Sequence, residues 1–200
     1  MDWNRWKPSR YISFESPVIL GFALASLLVL VVNALTGGAL NRSVTSVFRT
    51  AASNPLLYPR LFLHVLGHAD FGHYAANMGL FLVLGPLMEK RYGSGRLLSY
   101  IAITALVTGL AHILISPHTA MLGASGVVFM LILLSAVSGR TSDKVPLTLV
   151  LVALIYLGRE IIGGLFTHDS VSQLAHIFGG LCGLVLGLKG PKESKGRYSI

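Results

Sequence analysis

Six runs of apolar residues constrain this chain more than any other feature. They lie at about Pro17 to Thr36, His73 to Met88, Leu97 to Ile115, Ser125 to Ser138, Val145 to Ile162 and Ser172 to Leu188. A helix needs about 20 largely apolar residues, or somewhat fewer, to cross the hydrocarbon core of a bilayer. Composition agrees: 53% of the 200 residues are hydrophobic and only 12% charged, against about 25% charged in a soluble globular domain. Water would find too little charge to wet such a surface. The expected fold is an all-α membrane protein of six transmembrane helices.

The second and fourth runs are short for a full span, and each carries polar residues in its first turn. Helices that start at membrane depth leave non-helical backbone there, which is tolerated only inside protein or along a water-filled cavity. An internal hydrophilic pocket is therefore expected.

Lysine and arginine in the loops set orientation. Arg5, Lys7 and Arg10 precede the first run, Lys90, Arg91 and Arg96 follow the second, Arg140 and Lys144 follow the fourth, and the C-terminal tail is basic. With six helices these four clusters fall on one side, so both termini are expected in the cytoplasm. The first loop, about residues 37–72, carries Arg42, Arg49 and Arg60 but is long enough to be assigned outside. The expected division is a cytoplasmic tail at 1–16, a membrane domain at 17–188 and a basic cytoplasmic tail at 189–200. The net charge of +8 is thus a topology signal. Nucleic acid is not an expected partner, because the cations are dispersed over loops without an aromatic-rich polar domain. No small-residue cleavage site follows the first run, so it is expected to stay as a helix. The one cysteine, Cys182, is expected to pack as a small apolar residue.

Polar residues inside spans are expensive and default to functional hypotheses. Three groups stand out: His64, His68, His73 and Asn77 in "HVLGHADFGHYAAN", Ser125 in "GASG", and His176 in "QLAHIFGGLCG". To attack a carbonyl, serine needs a base to take its proton, and histidine is the usual one. Small residues favour close helix approach in membranes. Ala175, Gly179, Gly183 and Gly187 recur every four residues beside His176, and Gly123, Ala124 and Gly126 surround Ser125. Each feature alone is ordinary helix packing, with the serine bonding a backbone carbonyl. Both together at matching depth favour catalysis.

Attack on an amide creates an oxyanion, which preorganised donors stabilise. His73 and Asn77 are spaced i, i+4 and share a helix face, and the Ser125 amide at a helix start is a further donor. Asn77 alone could equally cap or bridge helices. His64 and His68 could suggest zinc, but the metalloprotease pattern needs a glutamate where Val65 stands. No metal is expected; these two are expected to bond backbone carbonyls in a loop shaped by Pro59, Gly67 and Gly72. His112, His118 and His168 near loop ends are expected to be solvated or interfacial.

These segments resemble the rhomboid family of intramembrane serine proteases. The match runs from Arg60 to Leu188 through "RLFLHVLGHADFGHYAANMG", "MEKRYGSG", "GASG" and "AHIFGGLCG", in order. The resemblance implies a six-helix rhomboid-like bundle, short in its second and fourth helices, around a hydrophilic cavity open to the outside. It implies Ser125 as nucleophile and His176 as general base, with His73, Asn77 and the Ser125 backbone amide as the oxyanion hole. Gly123 and Gly126 belong to the serine motif, His68 to a structural loop position, and Gly179 to the base helix. The aromatic four residues after the serine is often tyrosine; here it is Phe129, which can stack on His176 but cannot hydrogen-bond. A tryptophan-arginine pair common in the first loop reads Tyr58-Pro59-Arg60.

The implied activity is a serine endopeptidase that needs no cofactor and acts on transmembrane protein substrates in the bilayer. The implied setting is the plasma membrane of a prokaryote. The alternative is a non-catalytic relative that binds membrane helices for quality control or trafficking, but such a protein would be expected to have lost Ser125 or His176. A transporter would need carboxylates at midplane depth, and Glu89 and Glu160 fall at helix ends.

Overall fold

The computed structural model describes residues 15–138, 147–148, 150–152, 154–155 and 170–190. Six helices have defined bounds there: α1 (Pro17–Leu35), α2 (Leu57–Leu63), α3 (Phe71–Tyr92), α4 (Ser94–Ile115), α5 (Ser125–Ser138) and α6 (Ser170–Lys189). The segments within 147–155 are also helical. Most of the fifth apolar run lies outside the described residues, as do Glu160, His168, Arg140, Lys144 and residues 1–14 and 191–200. Among the described residues there is no strand, only an antiparallel bridge between Val47 and Met121.

By length and composition, α1, α3 and α4 can each cross a membrane. Burial differs from that of a water-soluble protein. Leu24, Leu28, Val83, Leu87 and Leu114 are exposed, while His64, His68, Asn77, Thr104, Thr108 and His112 are buried beside an apolar core. An apolar exterior around an interior that also holds polar groups suits lipid as solvent.

The expected short second helix is corrected: α3 has 22 residues. Its apolar run ends where Glu89, Lys90 and Arg91 begin, but charge does not stop the helix. Gly93, at φ +81°, does. Glu89 is buried and accepts the Val18 and Ile19 amides, each at 3.0 Å, and the Ser94 hydroxyl at 2.7 Å. It thereby satisfies orphan donors at the start of α1 and ties α1 to the α3–α4 turn. The described part of α5 runs Ser125–Ser138, and the residues that follow, on which the expected short fourth span depends, lie outside the described residues.

The segment between α1 and α3 is not a plain loop. It holds a π-helical turn (Asn41–Thr45), α2 and a single 3₁₀ turn (His64–Leu66). Pro59 falls in the first turn of α2, where amides have no intrahelical acceptor and proline is tolerated. Arg60 is buried; its Nε and Nη2 donate to the Ser43 carbonyl at 3.0 and 2.7 Å, and its guanidinium lies 4.3 Å from the Phe48 ring centre.

The small-residue ridge of α6 packs on α5, its most extensive partner. A Cβ at Gly179 would overlap the Gly126 carbonyl, and one at Gly183 would overlap the Met130 carbonyl. Only glycine permits such backbone contact, as the spacing of small residues predicts. Cys182 is half-buried against the main core.

Candidate active site

Three helices and one loop bring the expected site residues to one cavity of about 270 Å³. Its lining includes His73 and Asn77 from α3, Ser125 and Gly126 from α5, His176 from α6, and Gly123 from the loop before α5.

Asp70 caps α3 by accepting the His73 amide at 2.8 Å, which starts the helix where His73 and Asn77 share its inner face. Asn77 is buried, and its Nδ2 has no partner in the protein. A buried amide without a partner is costly, so this N–H donor is held ready at the cavity. The Nδ1 of His73 accepts the Ala69 amide at 3.5 Å. A neutral imidazole that accepts at Nδ1 carries its proton at Nε2, and Nε2 is the atom nearest Gly123 together with Cε1.

Gly123 has φ +126°, a conformation that disfavours side chains, and a Cβ there would lie 2.8 Å from His73 Nε2. Its amide donates to the His64 carbonyl at 2.9 Å. Two residues on, Ser125 opens α5, and its amide belongs to the first turn, which lacks intrahelical acceptors. The preceding loop is fixed from the other side, because Met121 and Val47 exchange backbone hydrogen bonds of 2.9 Å each.

His176 reaches the cavity through α6. A Cβ at Gly126 would sit 3.2 Å from the Ala175 carbonyl, so the residue beside His176 touches the residue beside Ser125. Phe129, one turn after Ser125, stacks on His176 with ring centres 4.2 Å apart and planes 5° from parallel. That stack holds the imidazole over the first turn of α5.

His64 and His68 take the carbonyl contacts expected of them. His64 Nε2 donates to the Ala105 carbonyl at 3.0 Å, and His68 Nδ1 to the Leu66 carbonyl at 3.2 Å. Burial lowers the pKa of His64 from 6.5 to about 4, against the Ala105 bond and with help from nearby His112. Burial and neighbouring His73 bring His68 to about 4 as well. Both imidazoles are therefore neutral. His68 also meets His73 edge-on at 5.1 Å. The expectation for His112 is corrected: it is buried, with Nε2 on the Thr119 carbonyl at 3.0 Å, because the end of α4 folds under the following loop. His118 is exposed, as expected.

Sequence reasoning missed five lining residues: His64 and Ala175 as part of the cavity, Thr108, Met121 and Leu122. Thr108 and Met121 look like ordinary span and loop residues, and only the packing of α4 and the Val47 bridge puts them here.

A Rhomboid domain family model matches residues 57–192, which contain every residue named above as lining the cavity. Three relatives are similar over part of the chain. Rhomboid-like protein 11, chloroplastic, of Arabidopsis thaliana is 30% identical over 60% of this chain and 48% of its own length. Putative rhomboid protease YdcA of Bacillus subtilis is 26% identical over 62% of each chain. Rhomboid protease GlpG of Pectobacterium atrosepticum is 33% identical over 64% of this chain and 46% of its own length. The match thus spans roughly half of these relatives. With a family model covering most of its length, the chain belongs to the rhomboid family and is a membrane protein.

Proposed function

We propose that this chain is an intramembrane serine endopeptidase that hydrolyses peptide bonds in or near transmembrane segments of other membrane proteins. The observation that carries the reading is the convergence of Ser125, His176, His73 and Asn77 on one cavity from three helices. The names of two relatives, rhomboid proteases, support it.

In this mechanism His176 takes the Ser125 hydroxyl proton as Oγ attacks the scissile carbonyl carbon. The carbonyl oxygen becomes an oxyanion and accepts hydrogen bonds from Asn77 Nδ2, His73 Nε2 and the Ser125 amide. Collapse of the tetrahedral adduct breaks the C–N bond, and the His176 proton leaves on the amine. A water, deprotonated by His176, then attacks the acyl-enzyme ester and releases the acid and Ser125. No acidic third member is assigned. A neutral histidine base avoids burying another charge in a site of low dielectric.

The proposed architecture is six membrane helices within residues 17–188, flanked by tails at 1–16 and 189–200. Both termini face the cytoplasm, and the cavity opens on the outer side of a prokaryotic plasma membrane. A fluorophosphonate probe on detergent-solubilised protein tests the nucleophile directly. Labelling at Ser125 that is lost in Ser125→Ala is expected. Absence of labelling in folded wild-type protein would favour a non-catalytic, helix-binding relative.

A further inference from the structure

The side chain of Asn41 sits in the π-helical turn after α1, far in sequence from the cavity, yet its amide is bound on both ends. Nδ2 donates to the His68 carbonyl at 2.9 Å, and Oδ1 accepts the Thr45 hydroxyl at 2.7 Å. Its backbone amide donates to Asn33 Oδ1 at 2.9 Å. A carbonyl oxygen can only accept, so these partners fix which end of the amide points where.

The His68 carbonyl and the Ala69 amide belong to one rigid, planar peptide unit. Asn41 holds the oxygen of that unit. Its N–H, on the opposite edge, is the donor to His73 Nδ1 at 3.5 Å. Orienting the plane therefore decides which imidazole nitrogen of His73 stays unprotonated. Close approach is built in at Gly67, where a Cβ would lie 3.3 Å from Asn41 Oδ1 and 3.2 Å from Thr45 Cβ. Two residues of the turn, Asn41 and Thr45, and their neighbour across the gap, His68, are buried.

We propose that Asn41 is a positioning residue that acts through the His68–Ala69 peptide to hold His73 as its Nε2–H tautomer. The consequence rests on the proposed oxyanion role of His73. With the proton at Nε2, His73 offers the oxyanion a donor. With the proton at Nδ1, it would offer a lone pair, which repels a developing negative charge.

The test combines kinetics on a model transmembrane substrate with long-range ¹H–¹⁵N NMR of histidine-labelled protein, which reads the tautomer without catalysis. Asn41→Ala is expected to convert His73 to a mixture of tautomers and to lower kcat on the order of tenfold with KM unchanged. That is less than the roughly hundredfold or greater loss on removing an oxyanion donor outright. Asn33→Ala, which leaves the Asn41 amide in place, is expected to lower Tm while keeping the wild-type tautomer. If Asn41→Ala does not fold, Thr45→Val decides, because it frees the amide to rotate and is expected to shift the tautomer partially. Retention of pure Nε2–H in Asn41→Ala, or in Thr45→Val as its substitute, overturns the proposal. So does a kcat loss without a tautomer change, or an equal tautomer shift in Asn33→Ala. Inactive wild-type protein would contradict the protease reading and leave the tautomer result to decide this one.

Discussion

Gly126 and Gly179 meet backbone to backbone, with no room for even a methyl group between α5 and α6: a Cβ on Gly179 would overlap the Gly126 carbonyl. The contact lies one residue after Ser125 and three after His176, so helix spacing and site geometry are one quantity. Gly179→Val should push the helices apart. Overpacking costs about 1–3 kcal/mol, and a displacement of about 1 Å can lower a rate roughly a hundredfold. Both Tm and cleavage rate should fall, whereas Leu181→Val, at an exposed position, should change neither much. Full activity in Gly179→Val would uncouple the ridge from the site.

Asn77 should act in the transition state. Its buried Nδ2 has no ground-state partner in the protein, so Asn77→Ala removes little that holds the fold. Steady-state kinetics should show kcat lowered about a hundredfold to a thousandfold with KM nearly unchanged. A loss confined to Tm would make Asn77 a packing residue.

Glu89 predicts the opposite pattern. It accepts three hydrogen bonds, from Val18, Ile19 and Ser94, at a point 16 residues along α3 from His73, or about 24 Å by helix rise. Glu89→Ala strands those donors, and each bond to a charged group contributes about 1.5–3 kcal/mol. Thermal unfolding should occur at a clearly lower temperature. Ser125 labelling by a fluorophosphonate, measured well below that temperature, should keep its wild-type rate.

Acid should destabilise the fold through His64, which lies outside the membrane-spanning helices. Its pKa is about 4 when folded and about 6.5 when unfolded. Between these values the unfolded chain binds more protons, so stability falls as pH drops from about 6.5 towards 4. His68 adds to the same window. Tm measured across that range should fall less steeply in His64→Gln than in wild type. Equal slopes would mean that His64 is not buried neutral.

Much of the site could be read from sequence because its physics is local. The i, i+4 spacing of His73 and Asn77, the four-residue ridge through Gly179, and the glycines around Ser125 are all short-range patterns. The stacking of Phe129 on His176 was implied by the rhomboid resemblance, in which the aromatic four residues after the serine packs against the base. What escaped depended on long-range packing or on polarity that hydropathy cannot count. The α3 helix runs on through Glu89, Lys90 and Arg91 because Glu89 is satisfied by another helix. His112 is buried by a loop that closes over the end of α4, and a lone asparagine such as Asn41 in a long connection carries no sequence signal.

Cleavage of a model transmembrane substrate in proteoliposomes tests the Ser125–His176 pairing most directly. Wild type, Ser125→Ala, His176→Ala and the double variant would be compared at matched Tm. Because the two residues act as one unit, each single variant should fall to background and the double variant should be no worse. Turnover by folded Ser125→Ala at more than about a tenth of the wild-type rate, far above the loss expected for a missing nucleophile, would contradict the assignment.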